Sequence, residues 1–177
     1  MAAPDLDRWL ADPALRTRHR RVAHADAEAL WQAAESLRLR DPRTLGRVVR
    51  WRIPGLAADQ SFNELFRAHP FTVLEQGDRC LVSGLVGRIW TLDRDYPRLE
   101  GPEAFASWEE AGTARVLFGH WVEDDPAGSA LVSESRVAPV GRRAAVRLRA
   151  LWTVVGGFER LIGGEALRAA VRRAEHS

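Results

Sequence analysis

From residue 71 to residue 140 apolar and polar positions mostly alternate, whereas after residue 142 apolar residues recur every three or four positions. Alternation puts successive side chains on opposite faces of a strand, and the longer step puts them on one face of a helix. The alternating block divides at turn signals into FTVLEQ and RCLVSGLVGRIW around Gly77-Asp78, then FASWEE, TARVLFGHWVE and SALVSESRVAPV around Ala111-Gly112 and DDPAG. These five segments predict an antiparallel meander. Before it, TRHRRVA reads as a strand, and Asp26 caps a helix AEALWQAAESL whose stripe is Ala29, Leu30, Ala33, Ala34 and Leu37. A second helix, TLGRVVRWRI, is expected between Pro42 and Pro54, and SFNELFRA is a short third with Ser61 and Glu64 spaced as a capping box.

The expected order is therefore strand, helices, five strands, and one helix from about Arg142 to Ala174. A six-stranded antiparallel sheet with one apolar face needs a cover, and the terminal helix is the later element long enough to supply it. A straight helix laid over a curled sheet leaves space, which predicts a cavity. The terminal helix carries Gly156-Gly157 and Gly163-Gly164, each glycine costing about 1 kcal/mol against alanine. The first pair, where apolar periodicity continues, reads as a place where the helix bends against the sheet. The second reads equally as a helix end and restart.

Composition narrows the function more than the fold. With 177 residues the chain suits one domain, read as residues 16–177 after an N-terminal extension of residues 1–15. No apolar run is long enough to span a membrane, and the start MAAPDLDRWLADP lacks the apolar core of a signal peptide, so a cytoplasmic location is expected. A lone Cys80 and five scattered histidines give no zinc spacing, so neither metal nor cofactor is expected. All 26 basic residues are arginine, and they are unevenly placed. Residues 1–52 hold 11 Arg against 7 acids, residues 53–134 hold 6 against 14, and residues 135–177 hold 9 against 3. No recognition element or exposed aromatic series accompanies the basic ends, so nucleic acid is not an expected partner, and pairing between ends and middle accounts for the charge. Oligomeric state is open, a homodimer being one option. No G-x-S-x-G, phosphate loop or dinucleotide fingerprint occurs.

The basic first strand before DAEALWQAAESL, then GLVGRIW, FASWEEAGTARVLF, ALVSESRV and ALWTVVGGFERLIGGEALRAAVRRAE, together resemble the START-like, polyketide-cyclase-like (SRPBCC) superfamily over about Arg16 to Glu175. The resemblance implies an α+β helix-grip fold, a curled antiparallel sheet wrapped around the terminal helix. It also implies a cavity for lipids, polyketides or isoprenoid-like molecules, in which some relatives catalyse cyclisation or dehydration. Relatives typically carry a Tyr-Trp pair and a proline in the terminal helix, where this chain has Leu151-Trp152 and Gly156-Gly157.

Alternation then nominates the wall. In TARVLFGHWVE the face Ala114, Val116, Phe118, His120 and Val122 is apolar but for the imidazole, which is a ligand donor or a weak catalytic candidate if it points inward. Ser133 and Ser135 share a face with Leu131 and Val137, and Leu85 lies on the apolar set of the long strand. Trp152, Val155 and Phe158 of the terminal helix complete the expected lining. Glu134 and Arg136 then face away, as an exposed charge lattice. The leading expectation is binding of a small, mainly apolar molecule. The alternatives are a polyketide cyclase or dehydratase, and a protein-interaction module whose cavity is filled.

Overall fold

A computed structural model describes residues 3–41, 59–91 and 96–176, with the side chains of 154–163 outside the description. The expected helix TLGRVVRWRI lies outside the described residues. The elements in order are α1 (Asp7–Leu10), β1 (Leu15–Ala23), α2 (Ala27–Glu35), α3 (Phe62–Arg67), β2 (Thr72–Gly77), β3 (Cys80–Gly87), α4 (Pro102–Ala106), β4 (Ala114–Asp125), β5 (Gly128–Pro139) and α5 (Arg142–Ala174). The strands form one open antiparallel sheet in the order β1-β5-β4-β3-β2.

Local signals explain most of this. The Asp26 carboxylate accepts from the Ala29 amide at the start of α2, and Ser61 and Glu64 form the reciprocal capping box of α3. Gly77 pairs with Cys80 and Asp125 with Gly128, so two of the three expected hairpins form and the one at Ala111-Gly112 does not. FASWEE, expected as a strand, is not one. Pro102 occupies the first turn of a helix after Gly101, and Phe105 on its inward side is fully buried. Among the described residues the sheet accordingly has five strands, not six. Strand β3 also stops at Gly87, short of the expected Trp90.

Register sorts the two faces. The inner face carries Thr17 and His19 of β1, Leu131, Ser133, Ser135 and Val137 of β5, Val116, Phe118, His120 and Val122 of β4, and Leu81, Ser83 and Leu85 of β3. Against one end of it pack Leu30, Trp31 and Ala33 of α2 with Leu167, Ala170 and Ala174 of α5. Against the other pack Leu39, Leu65 and Phe71. Helix α5 runs unbroken through both glycine pairs, so Gly163-Gly164 is not an end and restart. At the buried Gly164 an added methyl would lie 3.4 Å from the Arg21 guanidinium, which places this turn of α5 close over β1.

The outer face is covered too. Leu6, Trp9 and Leu10 join Phe105 in a core with Leu74, Val82, Val86, Leu117, Trp121 and Val132. Two glycines on neighbouring strands let the cover sit down. A Cβ at Gly119 would lie 3.0 Å from Leu6, and one at Gly84 would lie 2.6 Å from the Phe105 ring. Gly84→Ala is expected to cost about 1 to 3 kcal/mol by overpacking, read as a lower urea midpoint with unchanged slope.

This cover changes the fate of Glu134 and Arg136. They face outward as alternation predicts, but they are not an exposed lattice: Glu134 is 1% and Arg136 4% exposed. Arg136 donates to Glu134 at 2.7 Å, to the Leu10 carbonyl at 2.7 Å and to Asp7, while Arg16 reaches Glu134 from β1 at 2.8 Å. The N-terminal segment supplies the missing partners, which alternation within one strand cannot reveal. Complementarity between basic ends and acidic middle continues along β1, where Arg18 and Arg20 meet Glu123, and Arg20 also meets Asp125.

Candidate functional site

Outer-face positions in the middle of β4 and β5 are buried, whereas Phe118, His120, Ser133, Ser135 and Val137 on the inner face are only half-buried. Thr17 and His19 on the neighbouring β1 are half-buried as well. Pairing lines them up in two cross-strand rows. One runs Leu81, His120, Ser133, His19, and the next runs Ser83, Phe118, Ser135, Thr17. A short band of polar groups thus crosses a mainly apolar face, on which Arg21 of β1 also lies opposite Leu131, between the clusters that pack its two ends.

His120 is the chemically distinct member. Its ring lies tilted against Phe66 of α3, centroids 4.6 Å apart, and Phe66 lies 5.0 Å from Phe71 and 5.3 Å from Phe118. Phe66 is held there partly through its own carbonyl, which accepts from the Ser83 hydroxyl at 2.8 Å. The His120 ring as a whole is half-buried, yet its Nε2 is sealed from solvent and has no hydrogen-bond partner among the described residues. Burial without a compensating acid pushes its pKa down to about 4, so the imidazole is neutral at pH 7. A buried polar atom left unsatisfied costs about 1 to 3 kcal/mol, a penalty that a ligand hydroxyl or carbonyl would relieve.

The other expected lining residues divide. Phe118, Ser133 and Ser135 share the inner face with His120. Leu85 is on that face but buried in the packed end with Phe71, Leu65 and Val116. Trp152 is half-buried on α5, and the side chains of Val155 and Phe158 lie outside the description. Cys80 falls on the outer side, where burial raises its thiol pKa, which disfavours a nucleophilic thiolate. Reading single strands missed Phe66 and Phe71, which reach the site from other elements. It also missed Thr17 and His19, whose alternation with Arg16, Arg18 and Arg20 was the available signal. Among the described residues no cluster of His, Cys, Asp and Glu could hold a metal, and no helix is long and apolar enough to cross a membrane.

No family model matches the chain, and no curated protein matches it. Solved structures resemble it distantly. Protein MLL2253 from Mesorhizobium loti matches with a TM-score of 0.43 and 12% identity, over 92% of this chain and 98% of that one. Protein CV1439 from Chromobacterium violaceum matches at 0.40 and 12%, over 90% and 97%. Ara h 8.0201 matches at 0.30 and 10%, over 92% and 99%. Likenesses this low decide neither the family nor the function of this α+β chain.

Proposed function

We propose that this chain is a helix-grip, START-like protein that holds a small, mainly apolar molecule between the inner sheet face and α5, without altering it chemically. The observation that carries the reading is the unsatisfied Nε2 of His120 beside three phenylalanines. An apolar wall with one or two placed polar groups is the ordinary composition of a small-molecule site. The bound molecule is expected to present an uncharged hydroxyl or carbonyl to His120, its remainder being lipid-, polyketide- or isoprenoid-like.

The second reading is an enzyme of the polyketide cyclase or dehydratase type, favoured by His120 lying opposite Ser133 on the same face. Its weakness is the pKa of about 4. General acid–base groups work best with a pKa near the working pH, and at pH 7 only roughly one such ring in a thousand is protonated. Native mass spectrometry of gently purified protein, followed by extraction, tests the binding reading by identifying what the chain carries. His120→Ala then separates the two. Catalysis would lose about 10²- to 10⁴-fold in turnover with affinity nearly intact, whereas binding alone would lose affinity with no turnover to measure.

A further inference from the structure

We propose a second site, independent of the inner-face reading, that takes the phosphate group of a small soluble molecule. It is a concavity of about 410 Å³ where the turn before β4, the end of β3 and the start of α5 converge, lined by Arg88, Gly112, Gly141, Arg142, Arg143 and Arg147. Four arginines thus line one opening. Among the described residues no acidic side chain forms an ion pair with any of them, although Arg16, Arg18, Arg20, Arg67, Arg136 and Arg173 all have acidic partners.

Fold stability does not account for the arrangement. A helix N-terminus favours negative charge, yet the first turn of α5 contains no acid, its Gly141 cap supplies no side chain, and Arg142 and Arg143 open it. Arg143 and Arg147 are also four apart on one helix, a repulsive spacing. A bound dianion reverses the sign of each of these terms. Guanidinium groups pair with phosphate oxygens through two parallel hydrogen bonds, and Gly141 and Arg142 at the start of α5, where a helix favours negative charge, line the same opening. The floor is fixed in advance, since the Gly112 amide donates to the Val140 carbonyl at 2.9 Å and the Val140 amide to the Thr113 carbonyl at 2.8 Å. With four arginines lining one opening, a diphosphate is the natural probe.

The test is calorimetric titration of the full chain with inorganic pyrophosphate at low salt. Saturable binding tighter than about 1 mM is expected, weakened at least about tenfold in Arg143→Ala, Arg147→Ala and changed less than about twofold in Arg149→Ala. Arg149 is exposed on the same helix but does not line the opening, and all three positions are exposed, so the variants should fold. Absence of saturable binding would overturn the proposal, as would equal losses in the Arg149 control, which would mean diffuse charge attraction. Association with phosphatidylglycerol vesicles but not with pyrophosphate would overturn the soluble-ligand assignment.

Discussion

Arg136→Met is expected to lower unfolding free energy by about 3 to 5 kcal/mol, because it strands a carboxylate that the fold has sealed from water. Glu134 would keep Arg16, whose side chain is 54% exposed, so the lower end of that range is the more natural outcome. Burial works against the charge of Arg136, and its hydrogen bonds to Asp7 and Glu134 outweigh it, holding its pKa above the ordinary value. Loss of Arg136 also frees Asp7 and the Leu10 carbonyl, which anchor the N-terminal segment over the outer core. The double variant Glu134→Leu, Arg136→Met should be more stable than Arg136→Met alone, since no buried charge is left without a partner. Urea unfolding of the three proteins checks this. A double variant less stable than the single would mean that Glu134, paired with Arg16 alone, is worth more than its desolvation.

The second large effect is acid sensitivity seated at His120. Its folded pKa is near 4 against an ordinary value of 6.5, so between those values the unfolded chain holds a proton that the folded chain does not. Each step down in pH therefore favours unfolding. The contribution is fully present above pH 6.5 and is lost as pH falls to about 4, a change of about 3 kcal/mol. His19 lies in the same cross-strand row two strands away, and Phe66 and Leu81 flank the ring without charge. His120→Leu should flatten this segment of the stability profile, read as the wild-type minus variant difference in melting temperature between pH 7 and pH 4.5. An unchanged difference would place His120 in water rather than in the apolar wall.

Element types and faces were largely written in local patterns, and contacts between distant segments were not. Period-two alternation put Phe118, His120, Ser133 and Ser135 on one face because a strand leaves no other choice. Capping at Asp26 and Ser61 was equally local. FASWEE failed because a five-residue helix is too short to show a period, and Pro102 outweighed the β-like appearance of Phe105 and Trp108. Glu134 and Arg136 failed for a different reason. Their burial depends on Leu6, Trp9 and Leu10 more than 120 residues earlier, so a charge pair on a sheet face looked like solvent chemistry until its cover was known. The aromatic partner Phe66 was hidden likewise, since α3 and β4 meet only in three dimensions.

The central claim is that the inner face receives an apolar molecule bearing one uncharged hydrogen-bonding group. Its most direct test is titration of delipidated protein with a fluorescent naphthol, a probe having an aromatic body and a single hydroxyl. Saturable binding is predicted, weakened about tenfold in His120→Leu, the ratio expected for loss of one buried hydrogen bond of about 1.4 kcal/mol. A wild-type protein that shows no saturable binding, or a His120→Leu variant that binds as tightly as wild type, would contradict the account.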